Sequence, residues 1–215
     1  MKAPRMGVTG AGSWCPCLLL CLLAILLALL PQSLRWFAYD RQALLGGQLW
    51  RLLSAHLVHV NGWHLLFNLA GLLLLCELLW VRLPARHAVG LLLASAVSVS
   101  AGLWLSMPEL QRYAGLSGVL HGIWAGSALW LLWRPAALAG EARIWWALSL
   151  LALAGKLLSE AMGAASPASA MTGVVVITQA HALGAAGGLA YAVAARFAGR
   201  LPGRRRGMTR SPAFD

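Results

Sequence analysis

The sequence predicts an all-α polytopic membrane protein, a bundle of six transmembrane helices with both termini cytoplasmic. Three observations carry this expectation. The 215 residues are 60% hydrophobic and only 11% charged, whereas a soluble domain needs roughly a quarter charged residues to cover its surface. Apolar runs recur six times, most of them near the ~20 residues that cross ~30 Å of hydrocarbon. Basic residues gather on alternate connections, the asymmetry that orients membrane proteins.

The first run follows Lys2 and Arg5 and ends in "LLPQSLRWF". That ending offers no small-x-small cleavage site, so the run reads as a retained helix over Cys15–Leu34 and not as a signal peptide. Further spans follow at Gly62–Trp80, Ala88–Met107, Ser117–Trp133, Ile144–Leu158 and Val174–Phe197. The expected organisation is a cytoplasmic tail over 1–14, a membrane domain over 15–197 and a basic, disordered cytoplasmic tail over 198–215. Lys2, Arg5, Arg82, Arg86, Arg134, Arg143 and the six arginines from Arg196 to Arg210 share one side, and Arg35, Arg41, Arg51 and Arg112 the other. Twelve against four puts both ends inside. The net charge of +11 then serves topology and attraction to lipid headgroups, with the bilayer and no nucleic acid as partner. Cys15, Cys17, Cys21 and Cys76 lack disulfide or zinc spacing and read as small hydrophobes. No metal and no cofactor are expected.

Polar residues inside such a bundle are costly and mark function. His64 and Asn68 lie in the outer half of the second helix, and Ser117 at the outer end of the fourth. His181 is expected about seven residues into the sixth, roughly 10 Å deep. Gly118, Gly122 and Gly126 recur every four residues on the fourth helix, and Ala180, Gly184 and Gly188 do so on the sixth. Ridges of small residues let two backbones approach closely, which would bring Ser117 to His181. A serine acts as a nucleophile when a base lies within ~2.6–3.2 Å. His64, Asn68 and the free Ser117 amide are donors for an oxyanion. No side-chain acid accompanies them in this reading, so the pair would be a dyad. Lys156 and Glu160, four apart on the fifth helix, are expected to pair with each other. His56 and His59 are expected to face the outer headgroup region, with His59 a candidate support, and His87 is expected in an interfacial loop.

These residues resemble the rhomboid family of intramembrane serine proteases. The matching elements are "GLSG" (Gly115–Gly118), "HLLFN" (His64–Asn68), "AHALGAAGG" (Ala180–Gly188) and the Trp50-Arg51 pair, in family order over about residues 46–190. The resemblance implies a rhomboid-like bundle in which Ser117 is nucleophile and His181 general base. His64 and Asn68 would line the oxyanion hole, and Gly184 and Gly188 would seat the sixth helix on the fourth. Many rhomboids place a tyrosine four residues after the serine, stacked on the catalytic histidine. Here His121 occupies that position, as a packing residue or a competing base.

The wording "GQLWRLLSAHLVHVNGWHLLFNLAGLLLL" and "KLLSE" is similar to the bacterial rhombosortase subfamily. That resemblance implies exported protein substrates with a C-terminal sorting tail: a Gly-Gly element, a transmembrane helix and a basic cluster. It also implies a bacterial inner-membrane location with the site facing the periplasmic side. Two other classes stand beside it, a catalytically silent relative that binds membrane helices and a small transporter using the six histidines.

Overall fold

The computed structural model describes residues 10–134, 142–164 and 167–198. Lys2, Arg5, the tail arginines from Arg200 onward and most of both expected tails lie outside them. Six long helices dominate the described chain: α1 Gly10–Leu29, α2 Gly62–Leu78, α3 Ala85–Ser106, α4 Ser117–Leu132, α5 Ala142–Ala161 and α6 Thr178–Ala198. Among the described residues, three segments are long and apolar enough to cross a membrane: Gly62–Arg82, which is α2 with its 3₁₀ end, Ala85–Ser106 and Ala142–Ala161. Trp14–Leu29 and Ser117–Leu132 are shorter apolar helices. Leu18, Leu22, Leu74, Leu93, Val97, Leu151 and Leu158 are exposed along these helices. Apolar surface on that scale is stable only against a partner or lipid, and the chain is a membrane protein.

The helix ends have local causes. α1 stops at Leu29, earlier than expected, because Pro31 cannot continue the hydrogen-bond ladder and Gln32 turns to φ 59°. Asn61 caps α2, its side chain accepting from the His64 amide at 2.8 Å. α6 begins at Thr178 and not at Val174. Ahead of it, Ser169 Oγ accepts from the Val176 amide (3.2 Å) and Thr172 Oγ1 from the Val174 amide (3.3 Å). These side-chain oxygens offer the backbone an alternative to helix, so the β-branched run Val174–Ile177 stays non-helical.

α4 is the central helix. Its residues from Gly118 to Ile123 and from Ala125 to Ala128 are buried, as befits a helix apolar on every side. α6 packs along its full length and also against α3; α5 covers another flank. The seam is backbone on backbone: a methyl group at Gly184 would collide with the Gly118 carbonyl oxygen, and one at Gly188 with that of Gly122.

The connection between α1 and α2 carries short helices at Ser33–Phe37, Arg41–Leu45 and Arg51–Ser54. A two-residue antiparallel bridge, Tyr39 with Tyr113 and Asp40 with Arg112, ties it to the segment just before Ser117. Arg51 is buried, donating to the carbonyls of Ala38 and Arg35, each at 2.8 Å, and to Gln48 Oε1. The Gly115 amide donates to the Ala55 carbonyl at 2.9 Å. The strand leading into α4 is thereby fixed from outside the bundle.

Candidate active site

Ser117 is the first residue of α4 and half-buried. The turn that delivers it uses Gly115 at φ 128°, a conformation that side chains rarely adopt, and a methyl group there would meet the His64 ring at 2.7 Å. The Tyr113 hydroxyl donates to the Gly115 carbonyl at 3.0 Å, and burial pushes this phenol's pKa up. As the opening residue of a helix, Ser117 has an amide with no partner in the preceding turn.

His181 is the fourth residue of α6, one turn from its start and about 5 Å along it. It therefore lies nearer the helix end than the expected 10 Å. Its Nε2 is 3.1 Å from Ser117 Oγ. The seam of small residues explains this proximity: only with α4 and α6 in backbone contact do the two side chains meet. His121 lies flat against His181, ring centroids 4.0 Å apart and planes 11° from parallel. Its Nδ1 is 2.7 Å from the Ser117 carbonyl, and its Nε2 is buried without a hydrogen-bond partner. The stack expected of a tyrosine is thus kept by an imidazole.

The expectation that no acid accompanies the pair is overturned. Glu160 of α5 sets both carboxylate oxygens on His181 Nδ1, at 3.1 and 3.0 Å. Lys156 Nζ reaches Glu160 Oε1 at 2.5 Å, the expected pairing. The "KLLSE" spacing showed that these two share a face, but nothing local in the sequence turns that face toward His181. α5 extends to Ala161 and not Leu158, which keeps Glu160 within a regular helix.

His64 and Ser117 line a cavity of about 850 Å³ with Tyr113, Ala114, Arg51 and Val176. Asn68, one turn deeper, is buried and donates through Nδ2 to the His64 carbonyl at 2.8 Å. His56 and His59 do not face outward to the headgroups: both are buried within the protein. His56 Nε2 lies 3.1 Å from the Ala96 carbonyl and 3.0 Å from Ser100 Oγ, which brings the outer connection onto α3. His59 packs its ring edge-on against His64, centroids 5.0 Å apart. Burial pushes their pKa values down, to about 4 for His56 and about 3 for His59. His87 is no loop residue: it lies in the first turn of α3, its ring 4.0 Å from that of Trp130 and its Nδ1 3.2 Å from the Tyr191 hydroxyl.

Chemically, a hydroxyl within hydrogen-bond reach of an imidazole, beside a cavity large enough to admit water and a peptide segment, is the arrangement of an activated nucleophile. A family model described as the Rhomboid domain matches residues 46–196. No curated protein matches the chain. Members of the rhomboid family are generally intramembrane serine proteases that act on membrane-embedded substrates. The match covers well over half of the chain and includes every residue from His64 to Gly188 considered above, so the chain belongs to the rhomboid family.

Proposed function

We propose that the protein is an intramembrane serine endopeptidase in which Ser117 is the nucleophile and His181 the general base. The observation that carries this reading is the 3.1 Å approach of Ser117 Oγ to His181 Nε2 beside the cavity. Ser117 Oγ attacks the scissile carbonyl carbon as its proton passes to Nε2, and the carbonyl π pair moves onto oxygen. The oxyanion accepts from the Ser117 amide, His64 and the second amide hydrogen of Asn68. Collapse of the intermediate breaks the C–N bond, and the imidazolium protonates the departing amine. Water, or another nucleophile, then removes the acyl group by the same proton route.

His121 is the weaker candidate for base. Its Nδ1 is engaged with the Ser117 carbonyl, and its Nε2 has no hydrogen-bond partner, Ser117 Oγ included.

A 16-residue α4 spans about 24 Å, some 6 Å less than the hydrocarbon core. With its inner end at the cytoplasmic boundary, Ser117 sits below the outer surface, and a cavity open to that side brings water to it. Both termini are then cytoplasmic; reporter fusions at Gly140 and Ser166 should report opposite sides of the membrane. A stable helix hides its carbonyls in backbone hydrogen bonds, so the preferred substrate is one that frays at the cut. The wording shared with rhombosortases favours an exported protein with a C-terminal Gly-Gly element followed by a membrane helix and a basic cluster, processed at the bacterial inner membrane.

The test is cleavage of such a tail in membranes. Ser117→Ala and His181→Ala should each abolish cleavage with the protein still inserted. Replacing both substrate glycines with leucine should slow it sharply, since Gly weakens a helix by ~1 kcal/mol relative to Ala. Full cleavage by Ser117→Ala overturns the protease reading; unchanged cleavage of the leucine tail overturns only the substrate class.

A further inference from the structure

We propose that Glu160 is a positioning residue for this site, and that Lys156 holds it in place. Its carboxylate fixes His181 in the Nδ1–H tautomer, so that an unprotonated Nε2 faces Ser117. The proposal rests on the reading of Ser117 and His181 as nucleophile and base.

Two charged groups approach His181 Nδ1, and they demand opposite tautomers. A carboxylate only accepts a hydrogen bond and an ammonium only donates one. Glu160 presents both oxygens at 3.0 and 3.1 Å, while Lys156 Nζ stands farther off at 3.4 Å. Nζ already makes its short contact to Glu160 Oε1 at 2.5 Å. Were Nδ1 unprotonated, its lone pair would face two carboxylate oxygens in a dry site. The side chains of Glu160 and His181 are only 6% and 4% exposed, so no water would relieve that repulsion. Nδ1 therefore carries the proton and donates it to Glu160. Nε2 is left as an acceptor for the Ser117 hydroxyl, the tautomer that a general base requires.

Lys156 has a separate task. A buried carboxylate without a cation is costly. Lys156 lies one turn away on the same helix face, is 37% exposed and supplies the countercharge. When Ser117 gives up its proton, the imidazolium forms beside a carboxylate already ionised and already oriented. His121 restrains the ring's face, and Glu160 restrains its edge.

The experiment uses the full chain in detergent micelles, with a fluorophosphonate as probe. Ser117 Oγ bonds to phosphorus, fluoride leaves and the hydroxyl proton passes to Nε2, so labelling reports the activated nucleophile without a peptide substrate. Imidazole ¹⁵N shifts report the His181 tautomer independently. Wild type should show a protonated Nδ1 and a bare Nε2. Glu160→Gln, whose amide can donate to Nδ1, should invert this pattern and lower the maximal labelling rate by up to about 10⁴-fold, the loss that the wrong histidine tautomer causes in a Ser-His-Asp triad. The probe's half-saturating concentration should stay the same. Glu160→Asp should restore the wild-type ¹⁵N pattern and part of the rate, and Lys156→Met should cost less than Glu160→Gln. A wild-type ¹⁵N pattern in Glu160→Gln overturns the proposal, whether or not labelling falls, because a loss with that pattern marks a purely structural role. Labelling that persists in Ser117→Ala would instead overturn the reading of the site beneath it.

Discussion

His121 lies flat on His181 with ring centroids 4.0 Å apart, on one helix and four residues beyond Ser117. The stack restrains the face of His181, while His121 Nδ1 returns to the Ser117 carbonyl at 2.7 Å. The same residue thus touches both partners without lying between them. His121→Phe should keep measurable turnover, because the ring is retained. His121→Ala should lose a further ~2- to 10-fold, the equivalent of the ~0.5–1.5 kcal/mol of an aromatic pair. Turnover of the purified variants decides this. An inactive His121→Phe beside an active His181→Ala would reassign the base.

The α4–α6 seam makes a second outcome predictable. Gly184→Ala would drive a methyl group into the Gly118 carbonyl, which is backbone and cannot rotate away. Overpacking typically costs ~1–3 kcal/mol, and here the strain falls one turn from the Ser117–His181 contact. Both the thermal midpoint and probe labelling of Ser117 should fall. Gly155→Ala on α5 is the control: nothing lies within 4 Å of the added methyl. It should stabilise by ~0.5–1 kcal/mol and leave labelling unchanged.

The buried His56 sets a pH dependence of stability. Burial pushes its pKa down to about 4, against ~6.5 for the unfolded chain. Below pH 6.5 the unfolded state binds the proton and the folded state does not, so stability is complete above 6.5 and is lost as pH falls toward 4. The loss is about 3 kcal/mol at most. His59 adds a slope of the same sign. Thermal midpoints measured from pH 7.5 to 4 should fall steadily, and His56→Gln should flatten part of that fall. A His56→Gln curve parallel to wild type would refute the assignment.

Much of this protein is legible without coordinates because the relevant signals are local. Apolar run length marks a membrane chain, and four-residue glycine spacing fixes which faces of α4 and α6 approach. Ser117 and His181 sit toward the outer ends of those faces, so helix periodicity points them at each other, while the backbone contact of α4 with α6 and the late start of α6 bring them to 3.1 Å. Other features depend on packing across helices. α6 starts at Thr178 because oxygens from Ser169 and Thr172 capture the amides of Val176 and Val174, a competition that hydropathy does not register. His56 and His59 are buried because the Tyr39–Tyr113 bridge and the Gly115–Ala55 hydrogen bond draw the outer connection onto the bundle. The acid at His181 Nδ1 comes from a different helix, 21 residues away in sequence. Sequence spacing places Glu160 on the same face of α5 as Lys156. The direction in which that face points is a rotation about the helix axis, and only the packing of α5 against α4 and α6 decides it.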